Sequence, residues 1–143
     1  MYFPDGEKNF GGVSICIDLK GDDTYNARRD GCQGFGIFGI GILVDCKGND
    51  KYFAKSSSQG FGVNFGIGIL YDKKGNDYYF SKSDSSQGAG WGGGIGILVD
   101  CKGNDVYETP SYACQATAGF GAVGILIDKF GNDEYYSKYH LSQ

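Results

Sequence analysis

The residues of this chain best suited to chemistry are aspartates, and they stand in columns. One closes an apolar run at Asp18, Asp45, Asp72, Asp100 and Asp128, and a second follows at Asp23, Asp50, Asp77, Asp105 and Asp133. Just before the second stand Asp22, Asn49, Asn76, Asn104 and Asn132. A hard cation such as Ca²⁺ takes about six to eight oxygens from carboxylates and carbonyls. Asp45, Asn49, Asp50, Asp72, Asn76, Asp77, Asp100, Asn104 and Asp105 are therefore the candidate calcium ligands. The competing reading is structural and is the favoured one. Here the carboxylates cap backbone N–H groups in a turn. The lysines beside them, Lys20, Lys47, Lys74 and Lys102, with Phe130 in the fifth place, offset their charge. On this reading no cofactor is expected.

Other chemistry is sparse. The single histidine, His140, lies near the C-terminus with no nucleophile pattern around it, and neither a Cys-x-x-Cys pair nor Cys/His zinc spacing occurs. The strings GFGIFGIGI and GAGWGGGIGI have dinucleotide-like glycine spacing, but no helix pattern follows either of them. The clusters that break the columns are Glu108, Thr109, Pro110 and Tyr112, and Arg28 with Arg29. Neither gives a paired-carboxylate site, so no enzymatic activity is expected. The five cysteines fall into a column of Cys46 and Cys101, a column of Cys32 and Cys114, and Cys16 alone. A net charge of −4 disfavours nucleic acid. Glycines interrupt every apolar run, which excludes a membrane helix, and the opening MYFPDGEKNF lacks the regions of a signal peptide.

The aspartates are held by a repeat. The anchors recur at intervals of 27 or 28 residues, the separations seen between Asp50 and Asp77 and between Asp77 and Asp105. Each anchor is followed by a glycine (Gly21, Gly48, Gly75, Gly103, Gly131), a tyrosine (Tyr25, Tyr52, Tyr79, Tyr107, Tyr135) and a glutamine (Gln33, Gln59, Gln87, Gln115, Gln143). The run before each anchor alternates like a strand, with Ile40, Ile42 and Val44 on one face and Gly41 and Leu43 on the other. Both faces are apolar, so both are expected to be covered, and the glycines would admit a closely packed layer. KGND is a turn, KYFAK a second short strand, and QGFGVNF a third, irregular segment. Several glycines per window exclude helix.

A unit this small cannot bury its own apolar strand, but stacked units can. The expected fold is all-β, a parallel β-solenoid of about five coils with 27–28 residues per coil, in a single repeat domain spanning 1–143. Equivalent residues would then lie one rung, about 4.8 Å, apart. Tyr would stack on Tyr, and the Asn and Gln amides would bond along their own ladders. Two rungs separate Cys46 from Cys101, about 9.6 Å, beyond the reach of a disulfide. A propeller is the second choice, but its four-stranded blades need more residues than one unit supplies.

The turn strings KGNDKY, KGNDYY, KGNDVY and FGNDEY resemble the GxGND turns of the RTX calcium-binding β-roll family, over some six residues per unit. That family's repeat is nonameric, with ions between successive turns, whereas here one turn recurs per coil. The resemblance implies calcium at the aspartates named above. The full unit, GxGILxDxKGNDxY…QG, is similar to uncharacterised bacterial tandem-repeat proteins, a likeness that implies no activity.

The function expected is therefore a non-enzymatic structural solenoid, a fibre, stalk or surface-scaffold segment at the cell surface or outside the cell. Asp5 and Gly6 align with Gln59 and Gly60, and the chain ends at Gln143, so both ends share one phase of the repeat. Head-to-tail stacking into a homo-oligomer or filament, or membership of a longer array, is expected from that. Gly41, Leu43, Gly68 and Leu70 offer a lateral contact. A carbohydrate-binding solenoid, with glycan on its aromatic columns, is the remaining alternative.

Overall fold

The computed structural model describes residues 11–111 and 115–138. These residues form strands, turns and bends without helix, so no helix among them is long and apolar enough to cross a membrane. Each coil passes through three segments. The first, six residues long, gives β1 (Val13–Asp18), β4 (Ile40–Asp45), β7 (Ile67–Asp72), β10 (Ile95–Asp100) and β13 (Val123–Asp128). The second gives β2 (Thr24–Ala27), β5 (Lys51–Ala54), β8 (Tyr78–Ser81), β11 (Val106–Thr109) and β14 (Glu134–Ser137). The third is short: β3 (Gly36–Ile37), β6 (Gly62–Val63), β9 (Gly90–Trp91) and β12 (Ala118–Gly119). Asp5, Gly6, Tyr112, Cys114, His140 and Gln143 lie outside the described residues.

Every pairing is parallel and joins equivalent residues of successive coils. Asp45 pairs with Asp72 and Asp72 with Asp100, while Tyr52 pairs with Tyr79. The first and second segments build five-stranded sheets and the third a four-stranded one. The molecule is thus a parallel β-solenoid, close to the five coils expected. Its rung spacing appears directly in the tyrosine ladder. Ring centroids from Tyr25 through Tyr52, Tyr79 and Tyr107 to Tyr135 are 4.8, 4.7, 4.7 and 4.7 Å apart, with planes within 5° of parallel.

The core is narrow. Leu43, Leu70 and Leu98 from the first sheet meet Tyr52, Tyr79 and Tyr107 from the second, all at most 4% exposed. Each buried leucine stabilises the fold by about 1.5–3 kcal/mol relative to an exposed one. The remainder of the inward face is glycine, and there the third segment lies against the first with no side chain between them. A Cβ on Gly68 would stand 2.2 Å from the carbonyl oxygen of Phe61, and one on Gly96 1.7 Å from that of Ala89.

Two expectations need correction here. The first strand is not covered on both faces. Its Gly, Leu and Asp positions point inward, while Ile40, Ile42, Val44 and their counterparts point outward and are only half-buried. Gly41, Leu43, Gly68 and Leu70 are buried, so they offer no lateral contact. The strand was readable as doubly apolar, but the direction of its faces is decided by which one lets a neighbouring backbone approach. The glutamines do not bond to one another either. Gln59 Nε2 donates to the carbonyls of Tyr52, at 2.8 Å, and of Phe80 in the next coil, at 3.1 Å. The side chain is long enough to reach the second sheet, whose carbonyls are fixed acceptors. Gln33 does the same with Tyr25 and Phe53.

Gly68→Ala is expected to lower stability by about 1–3 kcal/mol, because backbone rather than a movable side chain fills the space. Lys73→Ala, at an exposed position, should change it by less than about 0.5 kcal/mol. Urea unfolding midpoints for the two variants check the contrast.

Candidate functional site

The turn after the first strand gathers the aspartates. Four of the anchors cap their own turns: Asp45 Oδ1 accepts the Lys47 N–H at 3.0 Å, and Asp18, Asp72 and Asp100 do the same with Lys20, Lys74 and Lys102, while Asp128 Oδ1 has no partner. The other anchor oxygen faces the coil before it. Tyr25 donates its hydroxyl to Asp45 Oδ2 at 2.6 Å, Tyr52 to Asp72 at 2.6 Å and Tyr79 to Asp100 at 2.7 Å. Tyr25, Tyr52 and Tyr79 are therefore bonded at their tips to the next coil, whereas the Tyr107 hydroxyl makes no such bond and Tyr135 donates to Asp128 of its own coil, at 2.8 Å.

The second aspartate points toward the preceding coil. Asp50 Oδ1 accepts the Asp23 N–H at 2.7 Å, Asp77 Oδ1 that of Asp50 at 2.6 Å, and Asp105 Oδ1 that of Asp77 at 2.7 Å. The remaining oxygens, Oδ2 of Asp50, Asp77 and Asp105, are buried without a hydrogen-bond partner. The column between them runs the other way. Asn49 Oδ1 accepts the Asn76 N–H of the following coil at 3.0 Å, and Asn76 Oδ1 that of Asn104 at 2.9 Å.

Among the proposed calcium ligands the aspartates therefore come together and the asparagines do not. Asp45, Asp50 and Asp72 have oxygens within 4.8 Å of one another, as do Asp72, Asp77 and Asp100, and a third group joins Asp105 to Asp128 and Asp133. Asn49, Asn76 and Asn104 are exposed, on the outer side of the turn. The capping half of the structural reading holds, but the lysine half does not. Lys20, Lys47, Lys74 and Lys102 extend into solvent and make no ion pair with these carboxylates. Away from this turn, Lys55 pairs with Asp30 at 3.9 Å.

Without a cation among them, buried carboxylates hold protons. Burial, and then the charge of Asp72, pushes Asp77 up to about 9. Burial is also the main cause for Asp50 and Asp72, each raised to about 7, and for Asp105, at about 7. Burial and the Asp45 carboxylate push the Tyr25 hydroxyl far up, so it stays a donor. A proton on Oδ2 of the second aspartate removes the charge from an oxygen that no donor reaches. Sequence reasoning missed the Tyr–Asp bonds between coils. Their signal was present in the fixed offset of 20 or 21 residues from each tyrosine to the next anchor.

The remaining chemical features are modest. The tyrosines expected as a glycan surface are inside. A groove of about 350 Å³ does run beside the third sheet, lined by Phe35, Phe61 and Trp91 with Asp30, Ser57 and Ser85 at its edge. Glu108 accepts the Tyr78 hydroxyl, and Cys16, Cys46 and Cys101 are free thiols. No protein-family model, curated protein or solved structure matches this chain.

The raised pKa values give stability a sign with pH. An unfolded aspartate titrates near 3.9, so between about pH 4 and the folded values the native state holds protons that the unfolded chain has released. That contribution is complete below about pH 4 and is lost as pH rises through about 7 to 9. Melting temperature should therefore fall from mildly acidic to alkaline pH. Asp77→Asn, which keeps the acceptor for the Asp50 N–H and cannot ionise, should flatten the decline. Calorimetry across that pH range checks both.

Proposed function

We propose that this chain is a structural element, a stiff β-solenoid segment of a fibre, stalk or surface scaffold that joins further copies head to tail, outside the cell or on its surface. The observation that carries this reading is the open rung at the C-terminal side. Strand β14 is exposed at every position, and Tyr135 is 39% exposed where the inner tyrosines of its ladder are fully covered. Among the described residues β13 and β14 each pair on one edge only, and so does β1 at the opposite end of the first sheet. An open parallel edge with in-register ladders is a template for a strand of the same spacing. At the opposite end of the ladder Tyr25 is only 2% exposed, although β2 too pairs on one edge only among the described residues. The first sheet, open at both β1 and β13, is therefore the better route for stacking. Head-to-tail contact of this kind is heterologous and propagates.

Sedimentation velocity with electron microscopy tests the reading. Filaments whose diffraction shows a spacing of about 4.8 Å along the fibre axis are expected. Tyr135→Lys, which sets a charge on the open rung, should shorten or abolish them. Particles that stay one molecule long at every concentration would refute end-to-end growth.

A second reading is that the aspartate groups take a divalent cation. It is favoured by the three clusters and by the orphaned oxygens of Asp50, Asp77 and Asp105. Calcium would occupy the places that protons hold, so its effect should be greatest at alkaline pH. Calcium at about a hundred times its dissociation constant would stabilise the fold by about 2.7 kcal/mol. A melting temperature indifferent to both calcium and chelator at alkaline pH would eliminate this reading.

A further inference from the structure

The outward face of the first sheet takes no part in the core, the turns or the stacking edges. It carries three columns of large apolar side chains, centred on Ile42, Ile69 and Ile97, with no charged residue among them. In the inner coils these side chains are half-buried, but in β1 the same columns reach 66% exposure at Val13, 59% at Ile15 and 60% at Ile17. A layer lying over the face would cover the end strand as well as the middle ones. The inner residues are thus shielded by neighbours one rung above and below, and the front of the array is open.

The corner leading into this sheet adds a second apolar feature. Phe38, Phe65 and Phe120 sit just ahead of β4, β7 and β13, and all three have backbone φ between 49° and 60°. A bulky residue in the left-handed region costs about 1–3 kcal/mol and persists where something else over-determines it. Burial does not explain these three, since they are 56%, 81% and 79% exposed. Exposed phenylalanines at three of these corners, with Gly92 and Gly93 at the corner ahead of β10, border an open aliphatic face, as at an interface seen without its partner.

We infer that this face docks against the same face of a second copy, giving a face-to-face pair of solenoids. Size supports the assignment. Five rungs by five residues present about 400 Å² in projection, the phenylalanine corner widens this, and two such faces bury on the order of 1,000 Å², the least that a specific interface needs. Geometry narrows the occupant. The side chains form a flat array with the rung spacing in one direction and every second residue in the other. A second copy has the same two spacings, so its rows fit between these over the whole area, as the facing sheets of a sandwich do at about 10 Å. A self-complementary patch of this kind closes as a two-fold pair. This contact is lateral and does not depend on the end-to-end reading.

Light scattering coupled to size exclusion, across the micromolar range, tests the inference. The expected result is a dimer whose dissociation constant weakens about tenfold or more in Ile69→Lys, as loss of a central anchor does, while Tyr135→Lys leaves the pair intact. Near-ultraviolet circular dichroism reports the tyrosine ladder and should not change. Should Ile69→Lys fail to fold, Phe65→Ser, at a residue 81% exposed, should weaken the pair in the same direction. A wild-type chain that is monomeric throughout, or a dimer insensitive to both Ile69→Lys and Phe65→Ser, would overturn the proposal. So would a monomer that instead floats with phosphatidylcholine vesicles, since the face would then serve lipid.

Discussion

The structure depends on one constraint: equivalent residues of successive coils are held one strand spacing apart. Parallel in-register pairing puts Asp45 beside Asp72 and Tyr52 beside Tyr79, so each choice of residue is made four or five times over at about the same spacing. A favourable choice is multiplied, as in the tyrosine stack with its 4.7 Å centroid spacing. An unfavourable one is multiplied too. Ionised aspartates at that separation, shielded from water, would repel strongly. The turn disperses part of this through tyrosine hydroxyls and backbone N–H groups, and the rest is left to protons or to a cation.

That pressure explains the division of labour within the turn. The inner anchors Asp45, Asp72 and Asp100 have both oxygens engaged, one by their own turn and one by the tyrosine of the coil before. The second aspartate has one oxygen engaged and one orphaned. Two carboxyl groups a few residues apart thus carry different burdens, and the second is where occupancy by protons or metal has its largest effect. The exposed asparagines carry the same kind of side-chain-to-backbone bond without charge, on the side where water is available.

Much of this was legible from the residues. The identical columns disclosed the repeat, the parallel register and the tyrosine ladder, because residue identity at a fixed interval is what in-register stacking requires. The three segments followed from strand alternation, KGND and the glycine-rich string. The facing of the first strand was not legible. The face of Ile40, Ile42 and Val44 is bulkier than that of Gly41 and Leu43, and hydrophobicity alone would bury it. The structure buries glycine and leucine instead, because the third segment needs backbone contact at Gly41, Gly68 and Gly96. The anchor aspartate shares the phase of those residues and so goes inside with them. Nor could one coil's sequence reveal that Lys47 serves its neighbour through its N–H rather than its ammonium group, since both lie at the same position along the chain.

The opposed directions of the two turn ladders bear on how the molecule carries load. In the gap between the second and third coils, and again between the third and fourth, the aspartate reaches one way along the axis and the asparagine the other, while tyrosine and glutamine also cross. A tensile pull along the axis therefore meets all the bonds of a gap together, and they yield as a set. Successive gaps, however, share the load in series. The whole rod is then only as strong as its weakest junction, and adding coils lengthens it without toughening it.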